Sequence, residues 1–190
     1  KVVALESDLG GASGFTKIQK SNPEQFIQVG IAEANMVGIA AGMSMRGYIP
    51  FIHTFAPFTT RRALDQVFLE GAYAKNTINI YGSDPGVCVA ANGGTHNTFE
   101  DIAIMRAIPN AVILAPADEV QLAWCIRECA KMEGVHYIRA NRKGNPAMYA
   151  EGSTFELGKG NVIREGSDVL LVSMGEMLSI AYNAAEKLAA

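Results

Sequence analysis

Short apolar runs alternate with stretches of helical spacing along the first 140 residues of the chain. The apolar runs, which are rich in β-branched and aromatic residues, are residues 2–5, 26–29, 48–53, 77–81, 111–115 and 135–140. Apolar residues three and four positions apart mark residues 32–46, 57–74, 99–107 and 118–132 as helical. Strands that alternate with helices of this length are typical of βαβ units. The pattern therefore predicts an α/β fold: a doubly wound, mostly parallel sheet with helices on both faces.

The composition changes around residues 144–152, a loop rich in Gly, Asn and Pro. Beyond it, residues 155–177 read as a hairpin followed by a buried strand, and a helix is predicted from Glu176. These elements are too few to enclose a core of their own. We interpret residues 1–150 as one domain, and residues 151–190 as a linker and the truncated start of a second α/β domain.

The composition narrows the possible partners. The chain has 190 residues, 49% of them apolar, and a net charge of −3, with no cluster of basic residues that would indicate nucleic-acid binding. Its apolar runs are all shorter than the roughly 18 residues that a membrane span needs. The three cysteines lack metal-ligand spacing, although Cys125 and Cys129 lie one helical turn apart. We expect buried thiols in a reducing cytosol, with no nucleic acid and no membrane as partners.

Ligands of doubly wound sheets bind beyond the carboxyl ends of the strands. In this chain those loops are residues 6–14, 30–33, 54–60, 82–97 and 141–145, which are also its most polar or Gly-rich loops. Glu33 stands there at the start of an apolar helix rich in Gly and Ala. An acid in the first turn of a helix commonly does no more than interact with the helix dipole, which stabilises the helix by ~0.3–1 kcal/mol. The alternative is an acid placed for proton transfer in an apolar cleft, which the small neighbouring residues would open to a flat ligand.

The other candidate residues also have two interpretations each. His96 lies in the tight turn GGTHN, before a helix that Asn97 or Thr98 could cap, and is either a ligand residue or a loop histidine bonded to backbone. Phe55 and Phe58 could wall a flat heterocycle or belong to the core. Basic residues follow two of the strands and suit either an anion or solvent: Arg61, Arg62, Arg139, Arg142 and Lys143. His53 and His136 lie inside strand-like runs, so we expect both to be hydrogen-bonded histidines of the core or of a sheet edge.

Three stretches together resemble a known family: VGIAEANMVGIAAGMSMRGYIPFIHTFAPF, GGTHNTFEDIAIMRAIPNAVILAPAD and YIRANRKGNP. Their order and spacing, with ESDLGG near the start, resemble the pyrimidine-binding domain of thiamine-diphosphate enzymes of the transketolase group. The resemblance covers about residues 2–150. The remaining residues look like the opening of that group's C-terminal domain, an arrangement similar to the separate C-terminal subunit of a split transketolase.

The resemblance implies a role for each candidate. Glu33 would hydrogen-bond the N1′ nitrogen of the aminopyrimidine of thiamine diphosphate and help to shift it to the imino tautomer. Phe55 and Phe58 would cradle that ring, with Arg61 at the position of a third aromatic residue. His96 would contact substrate oxygens and act in catalysis, while Arg142 matches a phosphate-binding arginine.

Two sugar-side positions depart from the family pattern. Asp84 stands where transketolases usually carry a substrate-facing histidine, and Asn92 stands in place of an acidic residue. Both remain candidate substrate-binding residues, and Ala12 replaces a family serine, with Ser13 beside it. The cofactor-side residues are kept, so we expect thiamine chemistry with an altered sugar preference.

The chain contains no GDG motif with a downstream Asn, which in this family holds the diphosphate and its metal ion. The resemblance therefore implies that Mg²⁺ (or Ca²⁺) and the diphosphate are bound by a partner domain, on an N-terminal transketolase subunit, and that this chain binds no metal. It also implies a homodimer and ketol transfer between sugar phosphates. The alternatives are a 2-oxo-acid dehydrogenase beta subunit, a deoxyxylulose-phosphate synthase, or a non-catalytic assembly module that lost its substrate chemistry.

Overall fold

The computed structural model describes residues 1–189 as a six-stranded, entirely parallel sheet followed by a short helical tail. The strands run in the order β2-β1-β3-β4-β6-β5, so β6 inserts between β4 and the earlier β5. Their bounds are β1 Val2–Glu6, β2 Phe26–Gln28, β3 Ile49–Phe55, β4 Ile78–Ser83, β5 Val112–Leu114 and β6 Val135–Ala140. All six lie within the predicted runs or extend them by a residue or two. The predicted fold class is confirmed.

Helices connect the strands, and several differ from the prediction. They are α1 Gly10–Ser13, α2 Phe15–Ser21, α3 Glu33–Met45, α4 Phe58–Arg62, α5 Leu64–Gln66, α6 Val67–Tyr73, α7 Asp101–Arg106, α8 Glu119–Cys129 and α9 Met177–Leu188. The first two were not predicted, because their apolar residues are too few to form a periodic face. None of the helices in residues 1–189 is both long and apolar enough to cross a lipid bilayer.

The single helix predicted over residues 57–74 is instead three segments, of which α4 and α6 are π-helical. The hydroxyls of Thr59 and Thr60 both donate to the carbonyl of Ala56, at 3.0 and 2.7 Å. Side-chain donors of this kind compete with the backbone ladder and loosen it. In α6 the N–H of Ala74 reaches back five residues to the carbonyl of Leu69, 3.0 Å away. Turns of this type in helices are frequent at functional sites.

The core lies on both faces of the sheet, because successive strand residues point to opposite sides. On one face Leu5, Ile52 and Ile80 pack against α3. On the other, Phe51, Tyr81 and Ile138 pack against α8. The sequence could fill both faces because its central strands are buried at nearly every position and carry apolar side chains on both sides.

Because Gly82 has no side chain, the ring of the neighbouring Tyr137 can lie against it and carry a buried hydroxyl to Asp101. A Cβ at this position would lie 2.6 Å from Cε2 of Tyr137, closer than any packing allows. The Tyr137 hydroxyl donates to Asp101 at 2.9 Å, and Arg139 donates to the same carboxylate at 2.8 Å. Burial, followed by the charge of Asp101, raises the pKa of Tyr137 well above 10. The start of α7 is thereby tied to the end of β6.

The prediction for the tail is wrong in part. The helix after Glu176 is present as α9, but residues 154–174 form no strand, so neither the hairpin nor the buried strand exists. The apolar residues 169–172 are exposed, Leu170 by 83%. A strand needs a neighbour to satisfy its N–H and C=O groups, and residues 1–189 offer this segment none. The sequence correctly indicated an apolar segment at residues 169–172, but the prediction of a strand assumed a neighbouring strand that the described residues do not provide.

Candidate functional site

Glu33 is the first residue of α3, and the loop before it is fastened to β1. Gly30 takes a positive φ of 70° to turn the chain away from β2. Its carbonyl accepts a hydrogen bond from the Ser7 hydroxyl at 2.7 Å, and the oxygen of that hydroxyl in turn accepts from the N–H of Ala32 at 3.3 Å. The Glu33 side chain is only 4% exposed. A carboxylate is thus held at a buried helix start, where the free N–H groups and the dipole favour negative charge.

The cation that faces Glu33 is Arg62, at the end of the π-helical α4. Nη1 of Arg62 donates to Oε1 of Glu33 at 2.7 Å, while the Arg62 side chain remains 49% exposed. Its guanidinium carbon lies 4.1 Å from the centroid of the Phe58 ring. The sequence marked this arginine only as an anion site or a solvated residue. No pattern pairs it with an acid 29 positions earlier, because the contact depends on the π-helical turn.

The structure brings Phe55, Phe58 and His96 together. The two phenylalanine rings are stacked with centroids 6.0 Å apart and an interplanar angle of 25°. The His96 ring stands edge-on to both, at 5.9 Å from Phe55 and 5.2 Å from Phe58. Nδ1 of His96 lies 2.9 Å from the hydroxyl of Thr95. Edge-to-face contacts of this kind fix the orientation of the imidazole.

Arg61 points away from Glu33 and fastens the His96 loop instead. It donates to the carbonyl of Asn97 at 3.0 Å and lies 3.1 Å from a carboxylate oxygen of Glu100. The predicted capping of α7 by Asn97 or Thr98 is wrong, because the helix begins after Glu100 without a side-chain cap. Glu100 accepts from the N–H of Phe99 instead, at 2.8 Å.

Arg142 and Asp84 form a fixed pair on the other side of Phe55. Asp84 is fully buried and has a positive φ of 56°. Its carboxylate accepts from Nε of Arg142 at 2.7 Å and from the Arg142 backbone N–H at 3.0 Å. The guanidinium carbon of Arg142 lies 4.8 Å from the Phe55 centroid. Asn92, by contrast, is exposed on the 3₁₀ turn Ala90–Asn92 and is not brought into this group.

A buried polar network beneath these residues was missed from the sequence. Nδ1 of His53 lies 3.3 Å from Glu6, and its Nε2 lies 3.0 Å from the hydroxyl of Ser83. Burial alone would raise the pKa of Glu6, but hydrogen bonds from His53, Gln28 and the Leu9 N–H hold it below 4.5. Burial lowers the pKa of His53 below 6.5, against the raising influence of Glu6. An ionised carboxylate thus orients a neutral imidazole, to which Ser83 donates.

The described residues include no group of three or more His, Cys, Asp or Glu arranged to hold a metal ion. Cys125 and Cys129 are buried free thiols, as expected, and burial raises the pKa of each to about 12. Cys88 is half-buried, and burial together with nearby Glu176 raises its pKa to about 11. Thiols with such pKa values are inert at neutral pH.

The candidate residues lie at or just beyond the carboxyl ends of parallel strands, which is where doubly wound α/β domains bind their ligands, and the chain has the fold of that class. Residues 1–146 match the family described as "Transketolase, pyrimidine binding domain", and residues 158–190 match "Transketolase, C-terminal domain". The chain belongs to the transketolase family. The resemblance inferred from the sequence is confirmed.

Similar proteins span the whole of this chain. It is 42% identical over 189 residues to the 6-deoxy-6-sulfo-D-fructose transketolase subunit SqwH of Clostridium sp. (strain MSTE9), covering 100% of this chain and 59% of that relative. It is 38% identical over 187 residues to a putative transketolase C-terminal section of Methanocaldococcus jannaschii, covering 97% and 59%. A solved split-gene transketolase, described as an inactive β4 tetramer, superposes with a TM-score of 0.89 at 38% identity, covering 100% and 61%. The chain thus spans about three fifths of the length of these relatives.

Proposed function

We propose that this chain supplies the aminopyrimidine half of a thiamine-diphosphate site in a two-chain transketolase that transfers ketol units between sugar phosphates. The observation that carries the proposal is a buried carboxylate, Glu33, which Arg62 links to the ring of Phe58, itself stacked on Phe55. The names of the Clostridium and Methanocaldococcus relatives, a transketolase subunit and a transketolase C-terminal section, support it.

The residues present fit the aminopyrimidine. An aminopyrimidine that carries a proton on its ring nitrogen needs an aromatic face to stack on and an acceptor for that N–H. Phe58 and Glu33 offer these two groups, and one guanidinium, that of Arg62, contacts both. A buried carboxylate is costly unless a donor faces it, and a ring N–H can satisfy it as an arginine does. Thiamine diphosphate, when bound, supplies the carbanion chemistry that breaks and forms the carbon–carbon bond.

This chain would contribute orientation, proton handling and substrate contacts. Glu33 would hold the proton at the ring nitrogen. His96, fixed edge-on to the two phenylalanines, would donate to the oxygen on which negative charge develops. Arg142 would bind the anionic end of the sugar with the guanidinium N–H groups that Asp84 leaves free. Because Asp84 is buried against Arg142, it would act as an anchor for that arginine rather than as a direct sugar ligand.

The diphosphate and its Mg²⁺ (or Ca²⁺) would be held by an N-terminal subunit, since the described residues show no metal-binding cluster. We also propose a homodimeric arrangement through α3, which carries the exposed residues Asn35, Gly42 and Met45 on a helix whose other residues are buried or half-buried. The description of the split-gene relative as a β4 tetramer supports self-association of such chains. We place residues 151–190 at the start of a second domain that joins this assembly.

The test is reconstitution. The chain is mixed with a diphosphate-binding subunit, thiamine diphosphate and Mg²⁺, and transfer of a two-carbon unit from a ketose phosphate to an aldose phosphate is measured. Turnover is expected from the mixture and not from either chain alone. Tight, Mg²⁺-dependent binding of the cofactor by this chain alone would contradict the divided site. Absence of transfer by a complex that binds the cofactor would contradict the reaction.

A further inference from the structure

Arg62 lies between the Glu33 carboxylate and the Phe58 ring. One guanidinium nitrogen is 2.7 Å from Glu33, and the guanidinium carbon is 4.1 Å from the ring centroid. A single flat, cationic group therefore uses both features that make this place suitable for a nitrogen heterocycle. The proposed function has not yet given Arg62 any role.

The guanidinium and an aminopyrimidine have the same recognition chemistry. Each is planar and stacks on an aromatic face, and each presents an in-plane N–H to a carboxylate, which the aminopyrimidine does when its ring nitrogen carries a proton. We infer that Arg62 is an internal competitor for the aminopyrimidine: the arginine and the cofactor ring claim the same Glu33 oxygen and the same Phe58 face, so one must leave for the other to bind. This inference rests on the proposed function.

Arg62 can be displaced from its contacts more easily than the neighbouring arginines. Its side chain is half-exposed, and in residues 1–189 Glu33 is its one ion-pair partner. Arg142 is held by two hydrogen bonds to the buried Asp84, and Arg61 is bound to Glu100 and to the carbonyl of Asn97. A half-exposed arginine can swing into solvent and be hydrated there, at the loss of one ion pair and one stacking contact.

Arg62 also has a stabilising role when no cofactor is bound. A buried carboxylate without a facing donor is unfavourable, and Arg62 satisfies Glu33 until a ring N–H takes its place. The exchange substitutes one donor for another, so Glu33 is paired both before and after the cofactor binds. The cost falls on cofactor affinity, because binding must first displace the arginine.

The experiment measures thiamine diphosphate binding by calorimetry, with Mg²⁺ and the complete complex of this chain and its diphosphate-binding subunit. Arg62→Ala is expected to lower the dissociation constant by about threefold to tenfold, for the loss of an ion pair with one half-exposed partner together with one stacking contact. Arg62→Lys keeps the charge but cannot stack as a plane, so a decrease of about twofold is expected. Arg106→Ala removes one exposed positive charge at the end of α7 and is the matched control; it should leave the constant unchanged.

Weaker or unchanged binding in Arg62→Ala, while the wild type binds, overturns the competitor and leaves the proposed function standing. A gain of the same size in Arg106→Ala also overturns it, because the effect would then be one of net charge. If neither the wild type nor any variant binds the cofactor, the proposed function fails and the inference fails with it. Should Arg62→Ala not fold, Arg62→Lys decides, since tighter binding supports the competitor and equal or weaker binding refutes it.

Discussion

Replacing Glu33 by Gln distinguishes two roles of this residue: a carboxylate that activates the cofactor, and an acid that only stabilises the start of its helix. The change keeps the shape of the side chain and removes the charge. Two stabilising contributions are lost: the ion pair to Arg62, which is screened because that arginine is 49% exposed, and the interaction with the start of α3. Together they amount to about 1 kcal/mol of the free energy of unfolding.

The expected loss of rate is much larger than this loss of stability. A group that handles a proton in the reaction is typically worth ~10²–10⁴ in rate, or about 3–5 kcal/mol of barrier. The turnover number of the reconstituted complex is measured at saturating thiamine diphosphate and Mg²⁺, and urea unfolding of the chain is measured in parallel. We expect Glu33→Gln to lose at least 100-fold in turnover while its unfolding curve shifts only slightly.

Glu119 provides the matched control, because it is an exposed acid in the first turn of α8 and so occupies the same position relative to a helix dipole. Glu119→Gln should cost a few tenths of a kcal/mol in stability, less than Glu33→Gln because only the interaction with the helix dipole is lost, and should leave the turnover number unchanged. Near-normal turnover in Glu33→Gln would refute our reasoning and return Glu33 to a helix-dipole role. Gross unfolding of that variant would show instead that the carboxylate is essential to the fold.

The remaining predictions concern the substrate side and the buried network. His96→Ala should lower kcat, and Arg142→Ala should mainly raise KM for phosphorylated sugars, as steady-state kinetics will test; weaker cofactor binding with both parameters unchanged would contradict the assignment. Because the pKa of His53 is lowered in the folded chain, the unfolded chain takes up a proton that the folded chain refuses. The stability that comes from keeping His53 neutral is therefore complete above pH 6.5. Below that pH the free energy of unfolding should fall, by at most about 1.4 kcal/mol per pH unit. Urea unfolding between about pH 7.5 and 5.5 should show a flatter dependence in His53→Gln; an equal slope would place the titration elsewhere.

The strands were predictable because burial on both faces leaves an unmistakable apolar run. β6 was placed to the residue, and α3 to within a residue at each end. The segment 169–172 shows the limit of that signal: it is as apolar as β6, yet a run of residues does not state whether a neighbouring strand exists. Apolarity reports the tendency to be buried, and pairing is a property of the whole fold.

The grouping of the candidate residues was predictable from topology, whereas their pairings were not. The rule that loops gather beyond the carboxyl ends of parallel strands brought Phe55 and His96 to one place. The ion pair of Arg62 with Glu33 depends on a π-helical turn that a 3.6-residue period cannot signal. The anchoring of Arg142 likewise depends on Asp84 taking a left-handed backbone conformation, which its sequence neighbours do not reveal.

The place of β6 between β4 and β5 has a consequence for how the chain folds as it is synthesised. β4 is buried along its whole length, and one of its edges can pair only when Val135 arrives opposite Ile78. β5 is made before β6 and has no strand to join until then. Strand pairings between segments so far apart in sequence form slowly, and an unpaired apolar strand edge promotes aggregation. Completion of this half of the sheet therefore waits for β6, and the nascent chain is most vulnerable in the interval between β4 and β6.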